Sequence, residues 1–456
     1  MTDLPLPSSP ARAPAQAWDP ARAMAPARAW DPEAWDPQAW APARAAPAAR
    51  PAAGPVAGPA ADPFAGPAAA SGPAGPAPEA GASAASPRGA WLPGLPTRWR
   101  RLGDLPAILA RRRLAGVRRA FYARLWQEAA AAVGAECIAL EGEVLMIRRG
   151  GRATLVHRSD LMLDAALTAR LVADKALTGR LLAARGLPVP AQRVFARADP
   201  GPAEAFLAAA GGPVVVKPLG GTGGGRGVTT GIESPAALRR AVRHAGRFGP
   251  RLLVERHVPG ASWRLTYLDG RLLDAVRRDP PAVTGDGRST IRALIAAENR
   301  RRRAAVSPGG PPGAPPAGPP VALSPLLIDA DCRTHLARQG LALSHRPAAG
   351  RRVQVKGAAN ENAAEDNHSL PAAPHPDLVA LGAGLVTALG VRFAGLDLMA
   401  VDIARPPAEA GLHVGEVNAN PGLHHHVLIA QPARRVPVAE AILEHLFTTG
   451  AGTFTP

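Results

Sequence analysis

The sequence predicts an α/β fold of the α+β kind, preceded by a long disordered tail. Short apolar runs with the character of strands, such as Val214–Lys217 and Leu252–Glu255, alternate with segments of helical periodicity. Asp269-Gly270 separates two further apolar runs and is a strong signal for a β-hairpin. The chain has 456 residues, 47% of them hydrophobic, which is enough for more than one core.

Residues 1–100 differ in composition from the rest of the chain. They hold 21 of the 51 prolines and six of the eight tryptophans. Proline at this density excludes regular helix, and too few aliphatic side chains remain to form a core, so we predict a low-complexity disordered tail. An Ala-Trp-Asp-Pro unit recurs at Ala17–Pro20, Ala29–Pro32 and Ala34–Pro37, and its tryptophans are candidate anchors for a partner protein.

Residues 101–174 are interpreted as a basic linker that leads into the folded part. The arginines between Arg98 and Arg119 are expected to form a solvated helix face, with contact to phosphate or an anionic surface as the alternative. A helix is predicted over Leu125–Val133. Strands over Glu136–Leu140 and Val144–Arg149 follow it.

The later elements follow from periodicity and capping signals. Leucines from Leu167 to Leu181 recur at helical spacing and predict one helix, which Gly186 and Pro188 end. Ser234 as N-cap and Pro235 in the first turn predict the start of another. The remaining predicted elements are strands over Arg264–Leu268, Leu272–Val276, Gly395–Ala400 and His413–Asn418, and a last helix over Pro437–Phe447.

Composition argues against several classes of protein. The longest apolar run, over residues 205–216, is shorter than the roughly 18 residues of a membrane span, and we see no signal peptide. Two cysteines, Cys137 and Cys332, are too few for a disulfide framework or a structural zinc site, so we expect a cytoplasmic protein.

The formal charge of +17 suggests nucleic acid as a partner, but the kind of charge weakens that interpretation. Fifty arginines accompany only three lysines, which indicates a compositional bias toward arginine. A nucleic-acid binder is therefore the weakest hypothesis. The lysines, Lys175, Lys217 and Lys356, become the more informative positions, because a compact ammonium and a planar guanidinium are not equivalent at a phosphate.

A strand that ends in a lysine and runs into a glycine-rich loop is the first candidate site. Val214–Pro218 is followed by residues 219–227, which contain six glycines. A backbone without Cβ atoms can close over a polyphosphate and present its amides, although a glycine run is equally often a flexible turn. The segment matches neither the Walker A pattern nor the dinucleotide-binding pattern.

Two later strands carry the second candidate site. Glu416 and Asn418 are two residues apart in one strand, so their side chains share a face, and Asp397 joins them if the strands pair. Two carboxylates and an amide oxygen form an all-oxygen set suited to Mg²⁺. A solvated sheet face is the alternative interpretation.

Together these motifs resemble the ATP-grasp superfamily, and they occur in that family's order along residues 120–448. The motifs are Asp174-Lys175, Val216–Pro218, the glycine-rich loop, Leu253–Arg256, Asp397 and Glu416–Gly422. Val254–Gly260 and Val283–Ile291 are similar to the ATP-grasp part of cyanophycin synthetase and its relatives. A Mur-ligase-like domain is not found after the last motif, so cyanophycin synthesis itself is not expected.

The resemblance implies that nucleotide is held between two α+β subdomains. Lys175 and Lys217 would neutralise the phosphates of ATP, and Glu255 and Val258 would form the adenine-binding hinge. The implied phosphate-binding glycines of the loop are Gly221, Gly223, Gly224, Gly225 and Gly227. The implied subdomains are residues 175–256 and 257–450, the second with a mobile insertion over residues 307–320.

The resemblance also implies a carboxylate–amine ligase that makes an amide through an acyl phosphate. Arg264 and Lys217 would be catalytic, with Arg264 steadying the acyl phosphate. Asp397, Glu416 and Asn418 would hold Mg²⁺, or Mn²⁺ in its place. The implied substrates are small carboxylates and amines, such as amino acids or short peptides, with no membrane partner; a homo-oligomer is left open.

Departures from the family pattern leave the substrate open. Ser262 stands where many relatives have an acidic residue for the ribose, and the segment after Lys356 keeps only Asn360 of an acceptor-side motif. The run His424–His426 is interpreted as a loop beside the active site, with metal ligation as the alternative. A nucleotide-binding scaffold without ligase activity, whose tail recruits a partner, remains the second hypothesis for the whole chain.

Overall fold

A computed structural model describes residues 105–220, 224–304, 320–370 and 372–456. The predicted tail over residues 1–100 and most of the predicted insertion lie outside these residues. The strands are β1 Glu136–Ala139, β2 Val144–Arg149, β3 Arg152–His157, β4 Asp160–Leu161, β5 Gln192–Ala196, β6 Val214–Pro218, β7 Thr229–Ile232, β8 Arg251–Arg256, β9 Ala261–Leu268, β10 Arg271–Arg278, β11 Ala282–Thr284, β12 Arg352–Gln354, β13 Asn367–Ser369, β14 Phe393–Ala400 and β15 His413–Ala419.

The α-helices lie between and around these strands. They are α1 Leu105–Arg113, α2 Ala115–Ala132, α3 Ala166–Ala173, α4 Lys175–Ala183, α5 Gly201–Ala209, α6 Pro235–Ala245, α7 Ile291–Ala304, α8 Ala330–Arg338, α9 Pro376–Ala388, α10 His424–Val427 and α11 Val438–Thr449. Within the described ranges, none of these helices is both long and apolar enough to cross a membrane.

Four sheets with antiparallel pairing organise the part of the chain that the structure describes. Their strand orders are β1-β2-β3-β4, β5-β8-β6-β7, β13-β10-β9-β14-β15 and β11-β12. Mixed helices and antiparallel sheets of this kind confirm the predicted fold class. The glycine-rich loop joins β6 to β7 of the second sheet, whereas Asp397 and Glu416 lie on adjacent strands of the third.

Several predicted elements form where their local signals place them. Asp269 and Gly270 have φ values of 46° and 74°, as the tight turn between β9 and β10 requires. The Ser234 side chain accepts a hydrogen bond from the backbone amide of Ala237 and caps α6.

The prediction of one helix from Leu167 to Leu181 was wrong, because Asp174 divides it into α3 and α4. Asp174 has extended dihedral angles, and its carboxylate accepts hydrogen bonds from the amides of Ala176 and Leu177 at 3.1 and 3.0 Å. An aspartate at the N-cap favours a new helix start over continuation of the old one. Lys175 therefore becomes the first residue of α4.

The interpretation of the arginine-rich stretch as a solvated face was only partly right. Arg112, Arg113 and Arg119 are exposed. Arg111, however, donates to Glu361 Oε1 at 3.0 Å, and Arg118 donates to the carbonyl of Leu323 at 3.0 Å. These two arginines fasten the first two helices to the central part of the chain.

The five-stranded sheet has one apolar and one polar face. Trp263, Leu265 and Tyr267 on β9 belong to a buried core that also includes residues of α9. Because side chains alternate along a strand, Ser262, Arg264 and Thr266 lie on the opposite face. That face carries the candidate site.

Candidate functional site

Strand register gathers the polar residues of the five-stranded sheet on one surface. Arg264 lies opposite Val276 on one side and Asp397 on the other, and Asp397 lies opposite Glu416. Residues directly opposite each other share a face. We call this surface the polar face; its members are Ser262, Arg264, Thr266, Asp274, Arg278, Asp397, Glu416 and Asn418.

Asp397 is held by two buried arginines at the centre of the polar face. Arg264 binds both of its carboxylate oxygens, with Nη2 donating to Oδ2 at 2.9 Å, and Arg278 Nη2 lies 3.0 Å from Oδ1. The two arginines are only 6% and 7% exposed. Burial alone would raise the pKa of Asp397, but the two guanidinium groups outweigh it and hold the pKa at about 2.

Glu416 and Asn418 complete the oxygen set predicted on these strands. Glu416 accepts a short hydrogen bond from Lys175 Nζ, and Asn418 Nδ2 donates to Asp397 Oδ2 at 3.4 Å. The donor contact turns the amide nitrogen of Asn418 toward the carboxylate. Both predicted acids are thus paired with cations, and no group of three or more His, Cys, Asp or Glu side chains able to hold a metal occurs within the described ranges.

On the second sheet, Lys217 pairs with the predicted hinge residue Glu255. Lys217 Nζ lies 2.7 Å from Glu255 Oε2, and both side chains are largely buried. The pairing follows from the sheet, since Val215 on β6 lies opposite Glu255 on β8. The other predicted hinge residue, Val258, is buried just beyond the end of β8.

A narrow cleft lies between residues of the second sheet, α4 and β15. Its lining includes Lys175, Glu255, Glu416, Leu182 and Val417. Polar groups from the glycine-loop sheet, from α4 and from β15 therefore meet in one place, with apolar side chains between them. Val258 does not line this cleft.

The described glycines of the loop adopt conformations that favour glycine. Gly224, Gly225 and Gly227 have φ values of 60°, 65° and 80°. A Cβ on Gly225 would lie 2.3 Å from Asn360 Nδ2, and that nitrogen donates to the carbonyl of Gly225 at 3.0 Å. Gly221 and Gly223 lie outside the described residues.

The three consecutive histidines form the short helix α10 on the same side of the sheet. His424 Nδ1 lies 3.2 Å from the hydroxyl of Tyr122, and the rings of His424 and His425 are 4.0 Å apart. His426 is fully buried between Asp274 and Thr266. The run is a short helix where a loop was expected, and its three rings make different contacts, which gives no support to shared metal ligation.

Comparison with known proteins gives the same relationship as the motifs. The chain is 30% identical over 290 residues to the cyanophycin synthetase of Trichormus variabilis, an alignment that covers 63% of this chain and 29% of that protein. The chain belongs to the ATP-grasp superfamily. It spans less than a third of the length of the curated relatives it matches.

Two more similarities complete the comparison of this ATP-grasp chain. The glutathione biosynthesis bifunctional protein GshAB of Mannheimia succiniciproducens is 28% identical over 222 residues, covering 48% of this chain and 28% of that protein. The crystal structure of a bifunctional glutathione synthetase from Pasteurella multocida aligns with a TM-score of 0.43 at 21% identity, covering 70% of this chain and 43% of that one. No protein-family model matches the chain.

Sequence reasoning missed Arg278, because the strand register that places it on the polar face is not visible in the sequence. The β9–β10 hairpin places Arg278 opposite Ser262, two positions along the same face from Arg264. Its Nη2 also donates to Ser262 Oγ at 3.1 Å. In a regular hairpin closed by Asp269-Gly270, Arg277 would lie opposite Ser262. A bulge between Leu272 and Asp274 shifts the register by one residue and brings Arg278 to that position instead.

Proposed function

We propose that this ATP-grasp chain is a Mg·ATP-dependent ligase that joins a carboxylate to an amine through an acyl phosphate. The observation that carries the proposal is the gathering of cations around the cleft and the polar face. Lys175, Arg264 and Arg278 outnumber the two carboxylates to which they are bound, Asp397 and Glu416. A surplus of buried positive charge suits a polyphosphate, which is more negative than the paired acids.

The glycine-loop sheet supplies the nucleotide side of the site in this proposal. Lys217 and Lys175 bind phosphate oxygens, and Gly224, Gly225 and Gly227 allow the loop backbone to approach them. Once the cleft widens, its apolar residues would contact the adenine ring, with Glu255 beside them. The subdomain division at residues 256 and 257 is part of the same proposal.

The oxygen set fits a magnesium ion in donor type. Asp397, Glu416 and Asn418 offer carboxylate and amide oxygens, which are the ligands that Mg²⁺ prefers. When bound, Mg²⁺ withdraws charge from the γ-phosphoryl group. Lys175 and the two arginines would turn from the acids to phosphate oxygens as nucleotide binds.

The proposed reaction has two steps, displacement of ADP and then displacement of phosphate. A carboxylate oxygen of the first substrate attacks the γ-phosphorus and ADP leaves, while Arg264 and Arg278 hold the charge of the new acyl phosphate. The amine nitrogen attacks the acyl carbon, the C–O bond to phosphate breaks and phosphate leaves with the electron pair. Two relatives are named for cyanophycin synthesis and glutathione biosynthesis, so we propose amino acids or short peptides as the substrates.

The test is ADP release from Mg·ATP with pooled amino acids and dipeptides, comparing wild type, Lys217→Ala and Arg251→Ala. Arg251 is an exposed residue of the same sheet and is the matched control. We expect release that requires both a carboxylate and an amine, and a loss of about 100-fold or more in Lys217→Ala alone. Nucleotide binding without release would favour the scaffold hypothesis, and equal rates in all three proteins would contradict the proposed role of Lys217.

A further inference from the structure

The helix of three histidines is fastened directly onto the polar face. His426 Nδ1 lies 2.7 Å from Asp274 Oδ2, and its Nε2 lies 2.7 Å from Thr266 Oγ1. Thr266 is two residues from Arg264 on β9, and Asp274 is four residues from Arg278 on β10. These two contacts of His426 therefore hold α10 near the two arginines that bind Asp397.

His425 is the member of this helix whose hydrogen bonding is incomplete. His424 contacts Tyr122 and His426 has two partners, but His425 Nδ1 is buried and has no hydrogen-bond partner in the described part of the chain. A neutral imidazole has one protonated nitrogen and one lone-pair nitrogen. In the tautomer with its proton on Nε2, Nδ1 carries the lone pair and is buried without a donor.

A second polar atom of the same face is also unpaired. Arg278 Nε is buried without a hydrogen-bond partner, although the Nη2 of that guanidinium is bound to Asp397 and Ser262. One unpaired donor on β10 and one unpaired nitrogen on α10 thus belong to two elements that contact each other. Buried polar groups usually find partners, and a bound substrate with an anionic and an ammonium group would supply both.

We propose that His425 binds the ammonium group of the amine substrate and accepts the proton that this group loses before it attacks the acyl phosphate. The inference rests on the proposed ligase function and adds a catalytic residue to it. One proton passes from R–NH₃⁺ to the imidazole, the free nitrogen forms the C–N bond, and phosphate leaves with the electrons of the broken C–O bond. The second nitrogen proton passes to phosphate or water.

The charged surroundings favour proton acceptance only when phosphate is present. The neighbouring charged or titratable groups that act on His425 are Arg264 on β9, Arg278 on β10, and His424 and His426 on its own helix. Burial first, and then these neighbours, lower the pKa of His425, so the ring is neutral at neutral pH. A phosphoryl group bound to the two arginines would offset their charge and make the ring more basic at the step that needs a base.

The experiment separates carboxylate activation from amine attack in wild type and His425→Gln. Each protein receives Mg·ATP and the twenty pooled amino acids, with or without hydroxylamine. Hydroxylamine is uncharged at neutral pH and traps the acyl phosphate as a hydroxamate without a base. We expect unchanged hydroxamate formation in His425→Gln, together with amine-dependent ADP release that is about 100-fold slower at pH 7.

The pH profile gives a readout that a merely structural role would not change. The ammonium group of an amino acid loses its proton only at alkaline pH, so the deficit of His425→Gln should shrink as pH rises. His345→Gln, an exposed residue outside the five-stranded sheet, is the matched control and should follow wild type. If the thermal unfolding midpoint of His425→Gln is well below that of wild type, His425→Asn is used in its place.

The other outcomes contradict either the role of His425 or the proposed ligase function. Hydroxamate formation and amine-dependent release that fall together would make His425 a structural residue. A variant that equals wild type in both, or a deficit that does not depend on pH, would also overturn the inference. If wild type itself forms no hydroxamate, the proposed ligase function fails and the inference fails with it.

Discussion

At the scale of single residues, the candidate metal ligands are the instructive case. The spacing of Glu416 and Asn418 and the pairing with Asp397 were predictable, because alternation along a strand fixes which side chains share a face. Their partners were not predictable. Arg264, Arg278 and Lys175 reach the acids from β9, β10 and α4, and only the assembled fold brings these elements together.

The pairing of these acids implies exchange of partners when nucleotide binds. Two carboxylates side by side in a partly buried site would repel each other, and the bound cations remove that repulsion. Phosphate oxygens can take over the cations, which releases the carboxylate oxygens for a metal ion. In the absence of nucleotide, the carboxylates would thus occupy the positions on the cations that phosphate oxygens take when ATP binds.

Glu416→Gln tests this exchange. The substitution keeps the volume and removes the negative charge, so we expect ADP release to fall by about 100- to 1,000-fold. The midpoint of thermal unfolding should stay within about 3 °C, because the Glu416 side chain remains 29% exposed and an ion pair in contact with water contributes little to stability. Glu409→Gln changes an exposed residue near the start of β15 and is the control. If Glu416→Gln releases ADP at the wild-type rate, Glu416 is not a metal ligand.

At the scale of elements, some helices and turns follow from local sequence signals, and others depend on long-range contacts. The cap at Ser234 and the turn at Asp269-Gly270 are local, and the sequence predicted both. Asp174 is local too, yet its capping role was missed because the leucine spacing continues across it. The register shift on β10 depends on its neighbour β9 and leaves no mark in the sequence of either strand alone.

The glycine-rich loop is tied to a distant segment by Asn360. This side chain donates to the carbonyl of Gly225, and Lys356 just before it is fully buried between Asp329 at 2.7 Å and Glu361 at 2.9 Å. An anchored segment holding a loop carbonyl restricts the conformations of the loop before ATP arrives. Restriction of this kind lowers the entropy lost on binding.

Asn360→Ala should weaken that restriction. We expect the KM for ATP to rise about fivefold, the equivalent of one hydrogen bond, with kcat nearly unchanged. Asn360→Asp keeps the size but removes the donor, so it should behave in the same way. A KM equal to that of wild type in both variants would show that the contact has no part in nucleotide binding.

At the scale of the whole molecule, the first helices and the central segment support the site from outside. Arg111 on α1 donates to the carboxylate of Glu361, which also pairs with Lys356, and Arg302 on α7 donates to the backbone carbonyl of Glu361. The fold class and the order of motifs were predictable because they depend on periodicity and family resemblance. This charge network was not, since its members are spread over about 250 residues of sequence.

Removal of residues 1–100 should leave the thermal unfolding midpoint and the affinity for ATP nearly unchanged. The segment is rich in proline and poor in aliphatic side chains, so its sequence offers little to bury against a core. Thermal melting and nucleotide titration of the shortened protein check this. A large fall in the unfolding midpoint would show that the segment packs on the rest of the chain.

The central claim is that nucleotide binds in the cleft between the two sheets, and calorimetric titration with Mg²⁺ and a non-hydrolysable ATP analogue tests it most directly. Wild type should bind one analogue per chain, and Lys175→Ala, at the meeting point of both sheets, should bind roughly tenfold or more weakly through loss of a charge-assisted contact. Arg170→Ala, exposed on α3, should match wild type. No binding by wild type, or equal affinities in all three proteins, would contradict the account.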